Sequence, residues 1–291
     1  MVTCVLAGLV VAATLLLVVG PRAARALGRP RSPAASAPSL SRVSGSQQRP
    51  ATRQRAETPS ASPSPSRSGA YRVVGLGDSV PAGDECDCTS YVSLVGRHEA
   101  QRRGGSAVVA NLAQGGLTTA GLLDQLEDSS VRHQISAANL VIVTIGANDF
   151  DPDPVADDSC RAPDVSCFRS TLRQQAAQLD AVLEKVDGLL GDRSATVLIT
   201  GYWNVFLDGD VAAANGDDYV RNSIALTQTE NAQIAAAAQA RGATYVDLLT
   251  AFKGASGTKD DTPLLADDGD HPNAAGHAKI AEALESVLAS R

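Results

Sequence analysis

Apolar positions divide this chain into three regimes. Residues 2–20 are almost wholly apolar, and residues 27–69 show no apolar periodicity. From residue 70 onward, short apolar runs alternate with longer segments in which apolar residues recur every three or four positions. The short runs, at residues 72–76, 107–112, 140–145, 196–200 and 244–248, are rich in Val, Ile and Leu and apolar on both faces, the pattern of buried parallel strands. Residues 91–103, 168–190, 219–241 and 274–289 have helical length and spacing, the last with Ile280, Leu284 and Leu288 at four-residue steps. This alternation predicts a three-layer α/β/α sandwich around a mainly parallel sheet of about five strands, with active groups at the strands' carboxyl ends.

Composition separates the leader from the domain. Residues 1–69 hold nine of the 25 basic residues and one of the 32 acidic ones, leaving 16 basic against 31 acidic in the remainder, a net charge of −15. A surface this acidic argues against nucleic acid as partner, because phosphate binding relies on clustered Lys and Arg. The apolar run followed by Ala24-Arg25-Ala26 reads as a signal peptide over residues 1–26, although no basic residue precedes it; an uncleaved N-terminal membrane anchor is the alternative. Residues 27–69, rich in Ser, Pro, Ala and Arg, read as a disordered tether because they bury too little apolar surface to offset their ordering entropy. Residues 70–291 remain for one folded domain, expected in a secreted or cell-envelope location.

The chemistry lies in four blocks. Gly77-Asp78-Ser79-Val80 follows the first strand-like run; then come Asn111 to Gly116, Gly146-Ala147-Asn148-Asp149, and finally Asp268-Gly269-Asp270-His271-Pro272-Asn273. A serine just past a strand, with an aspartate three residues before a histidine, is the raw material of a Ser/His/Asp hydrolase. A serine hydroxyl is a poor nucleophile until a neighbouring base takes its proton, so Ser79 needs His271, and His271 needs a carboxylate to fix its tautomer.

Taken in order, the four blocks resemble those of the SGNH, or GDSL, family of esterases and lipases, over roughly residues 71–290. The resemblance implies a flavodoxin-like hydrolase fold, Ser79 as nucleophile, and a triad with His271 and Asp268. It also implies an oxyanion hole built from the backbone N–H of Ser79, the backbone N–H of Gly116 and the side-chain amide of Asn148. Gly116 is the family's glycine by counting five residues from Asn111, with Gly115 beside it. Neither cofactor nor metal is expected. The implied activity is hydrolysis of a lipid, a short acyl ester or an O-acetylated glycan through an acyl-enzyme. A catalytically inactive envelope-binding domain that kept the fold is the alternative.

Other patterns are weaker. Gly75-Leu76-Gly77 opens like a dinucleotide fingerprint, but Val80 replaces the third glycine. Pro81 breaks the G-x-S-x-G elbow. The acidic run at residues 149–158 is interrupted by Pro152 and Pro154 and lacks the glycine and terminal Glu of a calcium loop. Cys86, Cys88, Cys160 and Cys167 predict two disulfides of open connectivity, with zinc the lesser alternative. His98, His133 and His277 read as structural. The aromatic group Tyr202, Trp203 and Phe206 is assigned to a substrate pocket or to the core, and residues 207–217 to a loop beside the site. Oligomeric state is not legible.

Overall fold

The computed structural model describes residues 69–291. The signal peptide or anchor (1–26) and nearly all of the tether (27–69) lie outside the described residues.

Five parallel strands form one sheet in the order β2-β1-β3-β4-β5. They are β1 (Tyr71–Gly77), β2 (Ala107–Asn111), β3 (Leu140–Thr144), β4 (Thr196–Thr200) and β5 (Thr244–Val246). Every residue of the central β3, Leu-Val-Ile-Val-Thr, is buried, which is why it reads as an unbroken apolar run. The edge strand β2 exposes Val108. Register runs from Tyr71 opposite Ala107 to Val73 opposite Leu140. Because β1 lies between β2 and β3, successive connections leave it in opposite directions, and a crevice opens at the carboxyl ends of β1 and β3.

The helices, in chain order, are α1 (Ser79–Ala82), α2 (Tyr91–Arg102), α3 (Thr119–Gln125), α4 (Ser129–Ser136), α5 (Asp153–Ala156), α6 (Arg169–Leu190), α7 (Gly209–Ala214), α8 (Asp217–Ala240), α9 (Leu248–Lys253) and α10 (Ala274–Ala289). α2 packs with α10, which also meets α9, while α6 packs with α3, α4 and α8. This gives the expected three layers. α6 buries Leu172, Leu179, Val182, Val186 and Leu190, an apolar stripe at three-, four- and seven-residue steps.

Boundaries differ from the sequence pattern where a cap intervenes. The fifth strand stops at Val246, because Asp247 accepts from the Thr250 N–H at 3.0 Å and starts α9 at Leu248. The acidic run after Asn148 contains the single turn α5, and residues 207–217 contain α7 rather than an open loop.

Candidate active site

Ser79 is the first residue of α1, directly after β1. Gly77 makes this possible: its φ is +129°, and a Cβ there would overlap the Thr144 carbonyl of β3, which accepts from the Asp78 N–H at 3.1 Å. Asp78 caps α1 by accepting from the Val80 N–H at 3.0 Å, and its other oxygen accepts from the Tyr202 hydroxyl. Burial pushes the Asp78 carboxyl up to about 7, and the Tyr202 and Val80 donors hold it from rising further. The N–H of Ser79, at the open end of α1, makes no backbone hydrogen bond among the described residues.

The loops that follow β1, β2 and β3 are laced together. Asn111 donates to the Pro81 carbonyl at 2.7 Å, and the Gln114 N–H donates to the Gly77 carbonyl at 2.9 Å. A Cβ on Gly115 would overlap the Asp84 carboxylate and come within 3.9 Å of the Ser79 Cβ. Gly116 has a φ of +74°, and a Cβ there would meet nothing within 4 Å. Asn148 lies in a 3-10 turn, Ala147–Asp149, and donates one amide hydrogen to the Leu117 carbonyl at 3.1 Å. That bond orients the amide and leaves its second hydrogen available. Asp149 accepts from the Thr119 N–H at 3.0 Å and from the Thr119 hydroxyl, tying this turn to the start of α3.

The loop before α10 carries the acid and base. Asp268 accepts from His271 Nδ1 at 2.6 Å with one oxygen, and from the backbone N–H groups of Asp270 and His271 at 3.0 Å each with the other. Burial would raise the Asp268 carboxyl, but these three donors hold it below its ordinary value. For His271, burial acts to lower the pKa. The bond to Asp268 and the charges of Asp270, Asp268 and Asp84 outweigh it and raise the ring above 6.5. Gly269, with a φ of +71°, gives its carbonyl to the Asp208 N–H at 2.7 Å, and Asp208 is itself held by the buried Lys253 at 2.8 Å. Asn273 closes the loop by capping α10 and donating to the Leu265 carbonyl at 2.7 Å.

Ser79 and Asn148 line a cavity of about 450 Å³ together with Asp78 and with Asp270, the residue preceding His271. Phe150, Val205, Phe206 and Leu207 supply apolar wall. No hydrogen bond joins the Ser79 hydroxyl to His271 among the described residues, as is common for such pairs without substrate. Gly116 is outside the cavity lining.

The parallel five-stranded domain agrees with the comparison to known proteins. A family model described as GDSL-like lipase/acylhydrolase matches residues 76–279. The chain belongs to this family. It is a carboxylic ester hydrolase. Among solved structures, a lipase from a goat rumen metagenome is 18% identical, with 75% of this chain and 97% of that one covered and a TM-score of 0.58. An extracellular lipase from Streptomyces rimosus is 23% identical, with 75% and 99% covered and a TM-score of 0.52. A catalytic variant of an acetylxylan esterase from Geobacillus stearothermophilus is 19% identical, with 76% and 95% covered and a TM-score of 0.52. At these identities the likeness is one of fold. No curated protein matches the chain.

Several supporting residues were not legible beforehand. α8 turns a buried polar stripe toward the site: Asn231 brackets the Tyr202 backbone with bonds of 2.9 and 2.8 Å, and Thr227 accepts from the Val205 N–H at 3.0 Å. Glu230 is fully buried, accepts from Gln175 at 2.9 Å, and packs where a Cβ on Gly146 would sit. The three-to-four-residue spacing of polar Asn222, Ser223, Thr227, Glu230 and Asn231 was the available signal. Trp203 satisfies both of its expected roles, stacking on Phe252 at 4.4 Å in the core while bordering the cavity. The cysteines pair locally, Cys86 with Cys88 and Cys160 with Cys167. His98 pairs with Glu285 on the surface, His133 lies in the last turn of α4, and His277 is buried in α10.

Proposed function

We propose that this ester hydrolase works through an acyl-enzyme, with Ser79 as nucleophile. His271 takes the serine proton and passes it to the leaving alcohol. Asp268 holds the ring with its proton on Nδ1 and stabilises the imidazolium. The observation carrying this reading is the 2.6 Å Asp268–His271 bond, one residue from Asp270 on the wall of the cavity that Ser79 and Asn148 share. The tetrahedral intermediate's oxyanion is bound by the backbone N–H groups of Ser79 and Gly116 and by the free amide hydrogen of Asn148. Water then hydrolyses the acyl-enzyme by the same proton route. The substrate is a small-molecule, lipid or glycan ester; the modest cavity favours short acyl groups and glycan esters over bulky triacylglycerols. An extracytoplasmic location, reached through the N-terminal apolar segment, completes the proposal.

Treatment with a fluorophosphonate tests the nucleophile directly. Peptide mass spectrometry should find one adduct, on Ser79, and none in protein denatured beforehand. An adduct on any other serine, or an unlabelled protein that still turns over ester, overturns the assignment.

A further inference from the structure

Cys86 and Cys88 form a disulfide across a single intervening residue, with Cα atoms 5.1 Å apart, in the segment between α1 and α2. Cys88 is exposed and Cys86 half-buried. His277 of α10 adjoins them: a ring nitrogen and both sulfurs lie within 4.8 Å of one another. The ring is wholly buried and its hydrogen bonding is one-sided. Nδ1 accepts from the Tyr91 N–H at 3.3 Å, while the buried Nε2 has no partner among the described residues. Burial holds the ring's pKa down to about 4, and the neighbouring His271 acts in the same direction, so the ring is neutral. Since Nδ1 offers its lone pair to Tyr91, the single ring proton belongs on Nε2. A buried N–H without an acceptor is costly, and a thiolate is a far stronger acceptor than a disulfide sulfur.

We propose that Cys86–Cys88 is a thiol–disulfide exchange site that takes small external thiols, with the buried His277 Nε2–H donating to the thiolate released on opening. An external thiolate attacks the exposed Cys88 Sγ. The S–S bond breaks with its electron pair on Cys86 Sγ, giving a mixed disulfide on Cys88 and a thiolate at Cys86 beside His277. A second external thiolate attacks the external sulfur of that mixed disulfide, releasing the oxidised thiol and leaving Cys88 as a thiolate, so two thiols supply the two electrons and two protons that convert the disulfide to a dithiol. The other pair provides an internal comparison. Cys160–Cys167 closes a longer loop, at a separation of seven, and Cys160 is buried in the core. Cross-linking a longer loop removes more entropy from the unfolded chain, so opening that pair costs more stability. The site is independent of the ester-hydrolysis reading.

The test exposes the full chain to 2-mercaptoethanol for timed intervals, quenches with iodoacetamide and maps the peptides by mass spectrometry. The expected result is a mercaptoethanol adduct on Cys88 with alkylated Cys86, while Cys160–Cys167 remains joined. In the reduced protein, the carboxylates of Asp84, Glu85 and Asp87 beside Cys86 act to raise its thiol pKa in wild type and variant alike, so the effect of His277 is read as a difference: in the pH dependence of Cys86 alkylation, His277→Leu should raise the pKa by about a unit or more, a tenfold change in the thiolate equilibrium. If His277→Leu does not fold, NMR of the wild-type chain serves instead, with the His277 Nε2–H resonance moving downfield on reduction. Opening of Cys160–Cys167 first or simultaneously, a Cys86 pKa left unmoved by His277→Leu, or an unmoved Nε2–H resonance overturns the proposal.

Discussion

Ser79, His271 and Asn148 act on one reacting carbonyl in the proposed mechanism, so their losses should not add. Ser79→Ala should abolish hydrolysis of a simple aryl ester while circular dichroism shows the domain still folded, since removing one hydroxyl leaves no cavity of consequence. His271→Ala should be nearly as damaging, and the double variant little worse than either single one. Retention of most kcat by Ser79→Ala would refute its role. Asn148→Ala should lower kcat by roughly 10²–10³-fold with a much smaller change in KM, because its amide binds charge present only in the transition state. A loss confined to KM would make Asn148 a substrate-binding residue instead. Asp270 allows a subtler test. Its charge is among the causes that raise the His271 pKa against the opposing effect of burial. The general base must be neutral to act, so the acidic limb of kcat/KM should lie above pH 6.5. Asp270→Asn removes one negative charge, destabilises the imidazolium and should move that limb to lower pH while the Asp268–His271 bond persists. An unmoved limb would show that Asp270 does not act on His271.

At the scale of elements, legibility followed locality. The strands could be read because parallel strands buried on both faces leave unbroken apolar runs, and β3 is such a run. α3 and α4 went unread because they are short, although Thr118 and Asp128 signal their starts as N-caps. The buttress of Asp78 by Tyr202 joins residues 124 apart, a pairing no local pattern encodes. α8 is legible as a helix over residues 219–241, but the partners of the polar residues on its buried face lie too far along the chain to be read from it. The site blocks could be read because each sits on a turn next to its own strand or helix, with Gly77, Gly146 and Gly269 adopting positive φ angles that favour glycine. One element-scale prediction concerns the segment after Asn148, where Cys160 packs in the core and Cys167 adjoins the start of α6. Closing this loop should contribute about 2–3 kcal/mol through the entropy of the unfolded chain. Replacing both cysteines with serine should therefore lower Tm by several degrees while kcat on the aryl ester stays within about twofold. A large kcat loss at unchanged Tm would mean that the pairing positions Asn148 rather than stabilising the fold.

Over the whole molecule, acidity and burial meet beneath the cavity. Glu230 is fully buried, and its carboxyl is pushed well above the usual range, first by burial and then by the charges of Asp149 and Asp78, against the bond from Gln175. The folded chain therefore holds this proton more tightly than the unfolded chain, in which the group ionises at about pH 4.3. Above that pH the unfolded state binds fewer protons than the folded state, so the slope of unfolding free energy against pH is negative. Stability from this group is complete below about pH 4 and declines as pH rises toward its folded pKa. Asp78, raised to about 7, adds to the decline between roughly pH 4 and 7. Asp268 opposes it, since its lowered pKa contributes stability that is present above about pH 4 and lost below. Glu230→Gln replaces the carboxyl with a near-isosteric neutral amide, which removes this group's contribution to the slope. Denaturant unfolding of both proteins from pH 5 to 8.5 should give a wild-type midpoint that falls with pH and a variant midpoint that falls less. The two curves should diverge as pH rises, with the variant becoming relatively more stable. Parallel curves would show that Glu230 does not hold its proton in the folded state, and that the carboxyl beneath Gly146 is charged and compensated instead.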